Sequence, residues 1–166
     1  MRRFKILSGF LGLLLMTFSC APQDDAFEPN DSFTQATALS LGKAIKALVL
    51  QNNSDVFSIE AQAGQKIVFT ISAEEERAPY NVDFSLQDAK GNVWQSFDCY
   101  RVENCELQEA NINITRSKDG AVLAFELSQE VNASGLYYLT IRQNPDADNM
   151  FAYYWRYSIS SNTVLN

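Results

Sequence analysis

The chain has 166 residues, with 20 acidic residues against 13 basic ones, and it contains no histidine. Its formal charge of −7 at neutral pH disfavours nucleic-acid binding, because the phosphate backbone is a polyanion. The lack of histidine excludes Ser-His and Cys-His nucleophile activation and removes a common zinc ligand. A chain of this length suits one domain with a core of adequate size.

Residues 1–19 have the features of an export signal. The basic stretch MRRFK precedes the apolar stretch ILSGFLGLLLM, which has the length of a signal-peptide core and is too short for a membrane span. Ser19 and Cys20 follow shortly after, in an arrangement that resembles a bacterial lipobox, where the cysteine is lipidated and becomes the first mature residue. We therefore expect a lipoprotein of the cell envelope, attached to the membrane through Cys20 alone. The alternative is an ordinary secreted protein in which Cys20 is a spare thiol.

Export also affects the interpretation of the other two cysteines, Cys99 and Cys105. Close pairs usually form disulfides in an oxidising compartment, so we expect a disulfide here, with two free buried thiols as the alternative. The export signal contains three basic residues and no acidic one, so the rest of the chain has a formal charge of −10. We assign residues 20–26 to a lipid-anchored tether and residues 27–166 to one domain.

Beyond the tether, apolar and polar residues alternate in seven segments, with the period of a half-buried β-strand. These segments are VFSIEA (56–61), KIVFTIS (66–72), VDFSLQ (82–87), VWQSF (93–97), AVLAFELS (121–128), LYYLTIRQ (136–143) and FAYYWRYSIS (151–160). Residues 32–42 have only a modest helical signal, and residues 112–115 could add a weaker strand. Short strands separated by turns about every 8–12 residues predict an all-β fold, a sandwich or a jelly roll.

The order of several short motifs resembles the bacterial pre-peptidase C-terminal domain. The motifs are E-P-N-D at 28–31, A-T-A-L at 36–39 with Gly42, N-S-D-V-F at 53–57, A-G-Q at 63–65, L-Q-D-A-K-G at 86–91 and G-L-Y-Y-L at 135–139. The resemblance spans about residues 27–160. It implies a single jelly-roll-like antiparallel β-sandwich, similar to the collagen-binding domains of collagenases. It also implies either a binding module or an accessory subunit that assists folding or localisation of a separate secreted peptidase.

The same resemblance implies a calcium site at the start of the domain. In the collagen-binding relatives, an E-x-E-x-N-D segment and a later aspartate pair hold the ion. The matching positions here are Glu28, Asn30, Asp31 and Asp55. Two positions depart from the pattern, because Ala26 cannot supply an oxygen whereas Asn53 still can, and we expect a weaker site. The alternative is a capped polar turn, since Asn and Asp favour turns by bonding their own backbone.

The chain contains no P-loop, dinucleotide fingerprint or zinc motif, and nothing marks a carboxylate pair of the glycosidase kind. We therefore expect a non-catalytic module. By alternation, Tyr138 and Tyr154 point away from the apolar faces of their strands. Exposed tyrosines would form a flat surface for a protein or a polysaccharide, and the alternative is that they pack on neighbouring side chains. The oligomeric state and the membrane leaflet stay open.

Overall fold

The computed structural model describes residues 25–51, 53–74, 81–100, 112–116, 118, 122–143 and 154–165, with the backbone alone for 81, 94–100 and 122–123. The described part contains one 3-10 turn, η1 (Phe33–Gln35), and ten strands. The strands are β1 (Thr37–Ala38), β2 (Ile45–Leu50), β3 (Ser54–Ala61), β4 (Gln65–Ala73), β5 (Asn81–Asp88), β6 (Val93–Tyr100), β7 (Ile112–Arg116), β8 (Val122–Glu130), β9 (Gly135–Gln143) and β10 (Tyr154–Leu165). No helix among these residues has the length and apolar character needed to cross a bilayer.

The strands form two sheets that pack as a β-sandwich. Sheet I has the order β1-β3-β9-β5-β6 and sheet II has the order β2-β10-β4-β8-β7. All strand pairs are antiparallel except β1 with β3. Without β1 and β7, the two sheets have the strand order of an eight-stranded jelly roll. The predicted all-β, jelly-roll-like antiparallel β-sandwich is therefore confirmed.

The core lies between the sheets and follows the predicted alternation. On β10, Trp155, Tyr157 and Ile159 are buried while the residues between them are exposed or half-buried. Phe84 of sheet I packs against Phe125 of sheet II with ring centroids 4.9 Å apart. Each such ring removes a large apolar area from water, so contacts of this kind between the sheets supply much of the stability.

Strand β2 was not predicted, and the structure shows why. Ala47 and Val49 face the core, and Leu48 between them is buried as well, so the segment shows no alternation of apolar and polar residues. The N–H of Leu48 donates a hydrogen bond to the Asp25 carboxylate, which lies at the unpaired edge of this edge strand. A strand covered on both faces loses its period-2 signal.

The two ends of the sandwich differ. At one end, which we call the Asp25 end, β3 and β5 begin, β9 ends, and Leu50 pairs with Tyr154. At the opposite end, the Gly64 end, Gly64 (φ +85°) and Gly91 (φ +80°) form turns in a backbone region that L side chains rarely adopt. The segment that precedes the sandwich therefore arrives at the Asp25 end.

Candidate functional site

The segment 25–31 is bound to the edges of the first strands by its acidic side chains. Asp25 accepts hydrogen bonds from the N–H of Phe27 (2.8 Å) and from the N–H of Leu48 on β2 (2.5 Å). The sequence places Asp25 in the tether, but in the structure its carboxylate already contacts the sandwich. The unpaired N–H groups of an edge strand need partners, and Asp25 satisfies one of them.

Glu28 connects this segment to the loop before β3. One carboxylate oxygen accepts the N–H of Asn30 at 3.0 Å, and the other accepts the side-chain amide of Asn53 at 3.2 Å. The side-chain oxygen of Asn53 accepts the N–H of Ser54 at 2.9 Å. The Glu28–Pro29 peptide bond is cis. Glu28 therefore links two of the residues that the sequence placed in the calcium site.

Asn30 and Asp55 form the buried centre of the site, and both are 0% exposed. The backbone oxygen of Asn30 accepts the N–H of Val56 at 2.8 Å, which attaches the segment to β3 next to the residues that pair with β1. Neither polar atom of the Asn30 side chain has a hydrogen-bond partner among the described residues, and the same holds for Oδ1 of Asp55. Buried polar atoms are nearly always paired, because each unpaired atom costs about 1–3 kcal/mol. The two oxygens among these atoms can accept a proton, a water hydrogen or a cation, whereas Nδ2 of Asn30 can only donate.

Asp55 also connects the two sheets. Its other carboxylate oxygen, Oδ2, accepts a hydrogen bond from the hydroxyl of Tyr157, which lies on β10 of sheet II. Burial raises the pKa of Asp55 to about 8, the Tyr157 hydrogen bond opposes this shift, and the charges of Asp25, Glu28 and Asp31 add to it. Burial, followed by the charge of Asp55, raises the pKa of Tyr157 well above its ordinary value. Near neutral pH the site therefore favours a neutral or cation-neutralised Asp55.

The structure brings Glu28, Asn30, Asn53 and Asp55 together, and Asp31 is close enough for its charge to act on Asp55. Sequence reasoning missed Asp25 and Tyr157. Tyr157 belongs to the predicted apolar face of β10, and its only signal is that a buried tyrosine hydroxyl needs a partner. Asp25 gives no signal in the sequence, because it lies in a short polar stretch beside another aspartate.

The candidate metal site has amide oxygens as well as carboxylate oxygens. Within the described residues, no three Asp, Glu, Cys or His side chains are arranged to hold an ion. Carboxylates alone therefore do not complete a site. Calcium also accepts amide and backbone oxygens, and the unpartnered Asn30 Oδ1 and Asp55 Oδ1 are hard oxygen donors beside Glu28. With these oxygens included, the chemistry of the residues fits calcium and does not fit a softer metal.

The two tyrosines predicted to form a binding surface lie on different sheets. Tyr138 is on the outer face of sheet I, where its ring lies 5.0 Å from that of Phe33. Tyr154 is on β10 in sheet II, with the guanidinium of Arg156 5.0 Å from its ring centroid. Both alternate with buried residues as expected, but they do not form one continuous surface. Each tyrosine also packs on a neighbour.

The cysteine predictions fall mostly outside the described residues. Cys20 and Cys105 are not among them, and Cys99 is described by its backbone alone, within β6. The lipid anchor and the disulfide therefore stay predictions.

No protein-family model matches the chain, and no curated protein matches it. Among solved structures, the chain is similar to the pre-peptidase C-terminal domain of a collagenase from Bacillus anthracis, at 14% identity and a TM-score of 0.45, covering 76% of this chain and 94% of that one. It is also similar to PliG, a periplasmic inhibitor of g-type lysozyme, from Aeromonas hydrophila (13% identity, TM-score 0.45, 78% and 96% covered). The same inhibitor from Salmonella Typhimurium gives 17% identity, a TM-score of 0.46, and 78% and 98% covered. Similarity at this level assigns no ligand to this chain.

We predict that replacing Asp55 by Asn changes the pH dependence of stability. The folded-state pKa of about 8 lies above the ordinary value of 3.8, so the folded state holds the proton more tightly than the unfolded state does. The stability of the unmodified chain therefore falls as the pH rises from about 4 to about 8 and is level above that range. Asp55→Asn removes this titration and keeps an oxygen that accepts from Tyr157.

The measurement is the free energy of unfolding in EDTA at several pH values. The free energy of unfolding of the variant, relative to that of the unmodified chain, should increase by a few kcal/mol as the pH rises from about 4.5 to about 8. Glu60→Gln, at an exposed position on β3, is the matched control and should show no such trend. A difference between Asp55→Asn and the unmodified chain that stays constant with pH would contradict the buried-acid account.

Proposed function

We propose that the chain is an exported, non-catalytic binding module whose N-terminal segment is fixed to the β-sandwich by a calcium ion and which lipid on Cys20 holds at a membrane. The observation that carries this proposal is the buried centre of the site. Two buried oxygens, Oδ1 of Asn30 and Oδ1 of Asp55, have no hydrogen-bond partner among the described residues. Burial raises the pKa of Asp55 to about 8, and the nearby carboxylates of Asp25, Glu28 and Asp31 add to that rise. A cation there would satisfy oxygens and charges that the described residues leave unbalanced.

The ion would be held by side chains from both parts of the chain. Glu28, Asn30 and Asp31 belong to the incoming segment, whereas Asn53 and Asp55 belong to the loop before β3 and to β3 itself. The bound ion supplies positive charge in place of the proton of Asp55. The chain's own residues do the rest, because Asp25 binds the edge of β2 and the Asn30 backbone binds the edge of β3. Cation binding would therefore stabilise the attachment of the segment to the sandwich.

The lipid anchor gives the domain a defined position. Asp25, whose side chain is bonded to the sandwich, comes five positions after Cys20. A fully extended stretch of that length spans at most about 17 Å. The domain would therefore stay close to the membrane with its Asp25 end towards it. The faces of the two sheets would then be open to molecules of the envelope.

A catalytic role is less consistent with the geometry. A buried carboxyl group with a raised pKa is often a general acid or base. Asp55 is such a group, but it is 0% exposed and bonded to Tyr157 in the interior, so a substrate cannot contact it in this structure. A role in structure and cation binding accounts for its environment better.

We predict that calcium stabilises the protein. The full exported chain, purified in a mild detergent, is melted in EDTA and in millimolar calcium. A ligand that binds only the folded state adds about 2.7 kcal/mol at a hundredfold excess over its Kd, which raises the melting temperature by several degrees.

The rise should be much smaller in Asp31→Asn and in Asp55→Asn, because each loses a negative charge at the site. It should persist in Glu60→Gln, which removes an exposed carboxylate outside the site. A rise of equal size in all variants would indicate a nonspecific ion effect. No rise at any calcium concentration would leave the segment as a capped polar turn and would overturn the metal part of the proposal.

The anchor is tested separately. Expressed with its own leader, the chain should partition into the membrane fraction, and its mass should include lipid on a mature N-terminal cysteine. Cys20→Ala should move the protein into the soluble fraction, because the acidic domain has no attraction for anionic lipid. Retention of Cys20→Ala in the membrane fraction would show that another feature attaches the chain.

A further inference from the structure

The outer face of sheet I has a partly exposed aromatic strip that the calcium site does not use. Phe33 is 45% exposed and Leu136 is 44% exposed, and the half-buried ring of Tyr138 contacts Phe33. We call the residues Phe33, Leu136, Tyr138 and Thr140, with Gln87 beside them, the Tyr138 strip. Apolar groups that stay in water on a sheet face, arranged together, commonly mark a binding surface.

The strip is built before any ligand arrives. The turn η1 lies against β3, and the small residue Ser58 lies opposite Tyr138 in the β3–β9 pairing. Phe33 is thereby placed on the Tyr138 ring, with centroids 5.0 Å apart and ring planes at 53°. Each ring limits the motion of the other. A ligand that stacks on this pair would lose little side-chain entropy to order it.

The cross-strand neighbours of Tyr138, Gln87 on β5 and Ser58 on β3, are neutral and polar. Gln87 of β5 is directly opposite Tyr138, and Ser85 is opposite Thr140. Charged side chains lie at the two ends of the row, with Glu60 opposite Leu136 and Arg142 beyond Thr140. Same-face residues of a strand are about 6.7 Å apart, so the row from Leu136 to Arg142 is about 20 Å long. The centre of the strip therefore combines ring surface with uncharged hydrogen-bonding groups.

Two classes of ligand fit this surface poorly. Strand β9 is hydrogen-bonded on both sides, to β3 and to β5, so it has no free edge that a peptide could join as an added strand. A polyanion would meet a chain whose formal charge beyond the export signal is −10. A neutral ligand with both an apolar face and hydroxyl groups fits best.

We propose that the Tyr138 strip binds a neutral, β-linked polysaccharide. The pyranose rings of such a chain present C–H faces that stack on Phe33 and Tyr138, and their hydroxyl groups reach Gln87 and Thr140. The chain is extended, which matches a row of side chains about 20 Å long on β9. This assignment rests on the proposed role as a binding module and supplies the class of ligand.

The probes are cellohexaose and the hexamer of N-acetylglucosamine, both neutral and β-linked, with a β-linked mannuronate oligomer of the same length as the charged comparison. The full chain is kept in a polyoxyethylene detergent, because sugar-headed detergents would compete for the site. Binding is measured by calorimetry and by chemical shifts. At least one neutral probe should bind, and Tyr138→Ala and Phe33→Ala should each weaken it about tenfold or more, as expected for a central aromatic anchor.

Tyr154→Ala is the matched control, since it removes a partly exposed tyrosine from the outer face of the other sheet. It should leave binding unchanged, and Tyr138→Phe should retain most of it because the ring remains. A melting curve for each variant separates lost binding from lost folding. Shift changes confined to the backbone signals of η1, β9 and β5 give a second readout that needs no variant.

The proposal is overturned if neither neutral probe binds at about 5 mM, if the mannuronate oligomer binds as tightly, or if Tyr154→Ala has the effect of Tyr138→Ala. None of these results affects the calcium melting or the Cys20 fractionation. Failure of the polysaccharide assignment is therefore distinguishable from failure of the proposed function.

Discussion

The hydrogen bond from the Tyr157 hydroxyl to Asp55 is the interaction on which this end of the molecule depends. It connects a central strand of sheet II to the first residues of β3 in sheet I, within the interior of the sandwich. Burial of Asp55 makes its charge costly, and the acidic side chains nearby increase that cost. A proton or a cation must offset this cost. The stability of the contact between Asp55 and Tyr157 therefore depends on the pH and on the cations in solution.

The stretch FEPNDSF, residues 27–33, connects this contact to the surface. The backbone of Asn30 bonds Val56, the residue after Asp55, and three residues later Phe33 contacts the half-buried ring of Tyr138 on the outer face of sheet I. One short segment thus contributes to the buried site and to the exposed aromatic strip. A polar turn bracketed by two phenylalanines is consistent with both roles, since Phe27 packs against the core and Phe33 lies outside it.

Much of the fold follows from local pattern, whereas the assembly of the site does not. The alternation in VDFSLQ and LYYLTIRQ predicts which side chains enter the core, because period 2 is a property of the strand itself. Strand β2 lacks that signal because Leu48, which lies between the core residues Ala47 and Val49, is apolar and buried as well. Alternation also cannot say that Tyr138 and Tyr154 belong to different sheets, because strand order comes from the topology. Asp25 and Tyr157 reach Leu48 and Asp55 through contacts between residues distant in sequence, which no short motif encodes.

The central claim is that a cation at Asp55 fixes the incoming segment to the sandwich, and amide hydrogen exchange of the full chain tests it most directly. The Val56 N–H donates to the Asn30 backbone, and the Leu48 N–H donates to Asp25, so both report whether the segment is attached. The Gly64 N–H, bonded to Val131 at the opposite end, is the internal reference. The account predicts that calcium slows exchange at Val56 and Leu48 well beyond any change at Gly64. If calcium leaves exchange unchanged at Val56 and Leu48, or slows it by the same factor at Gly64, the account is contradicted.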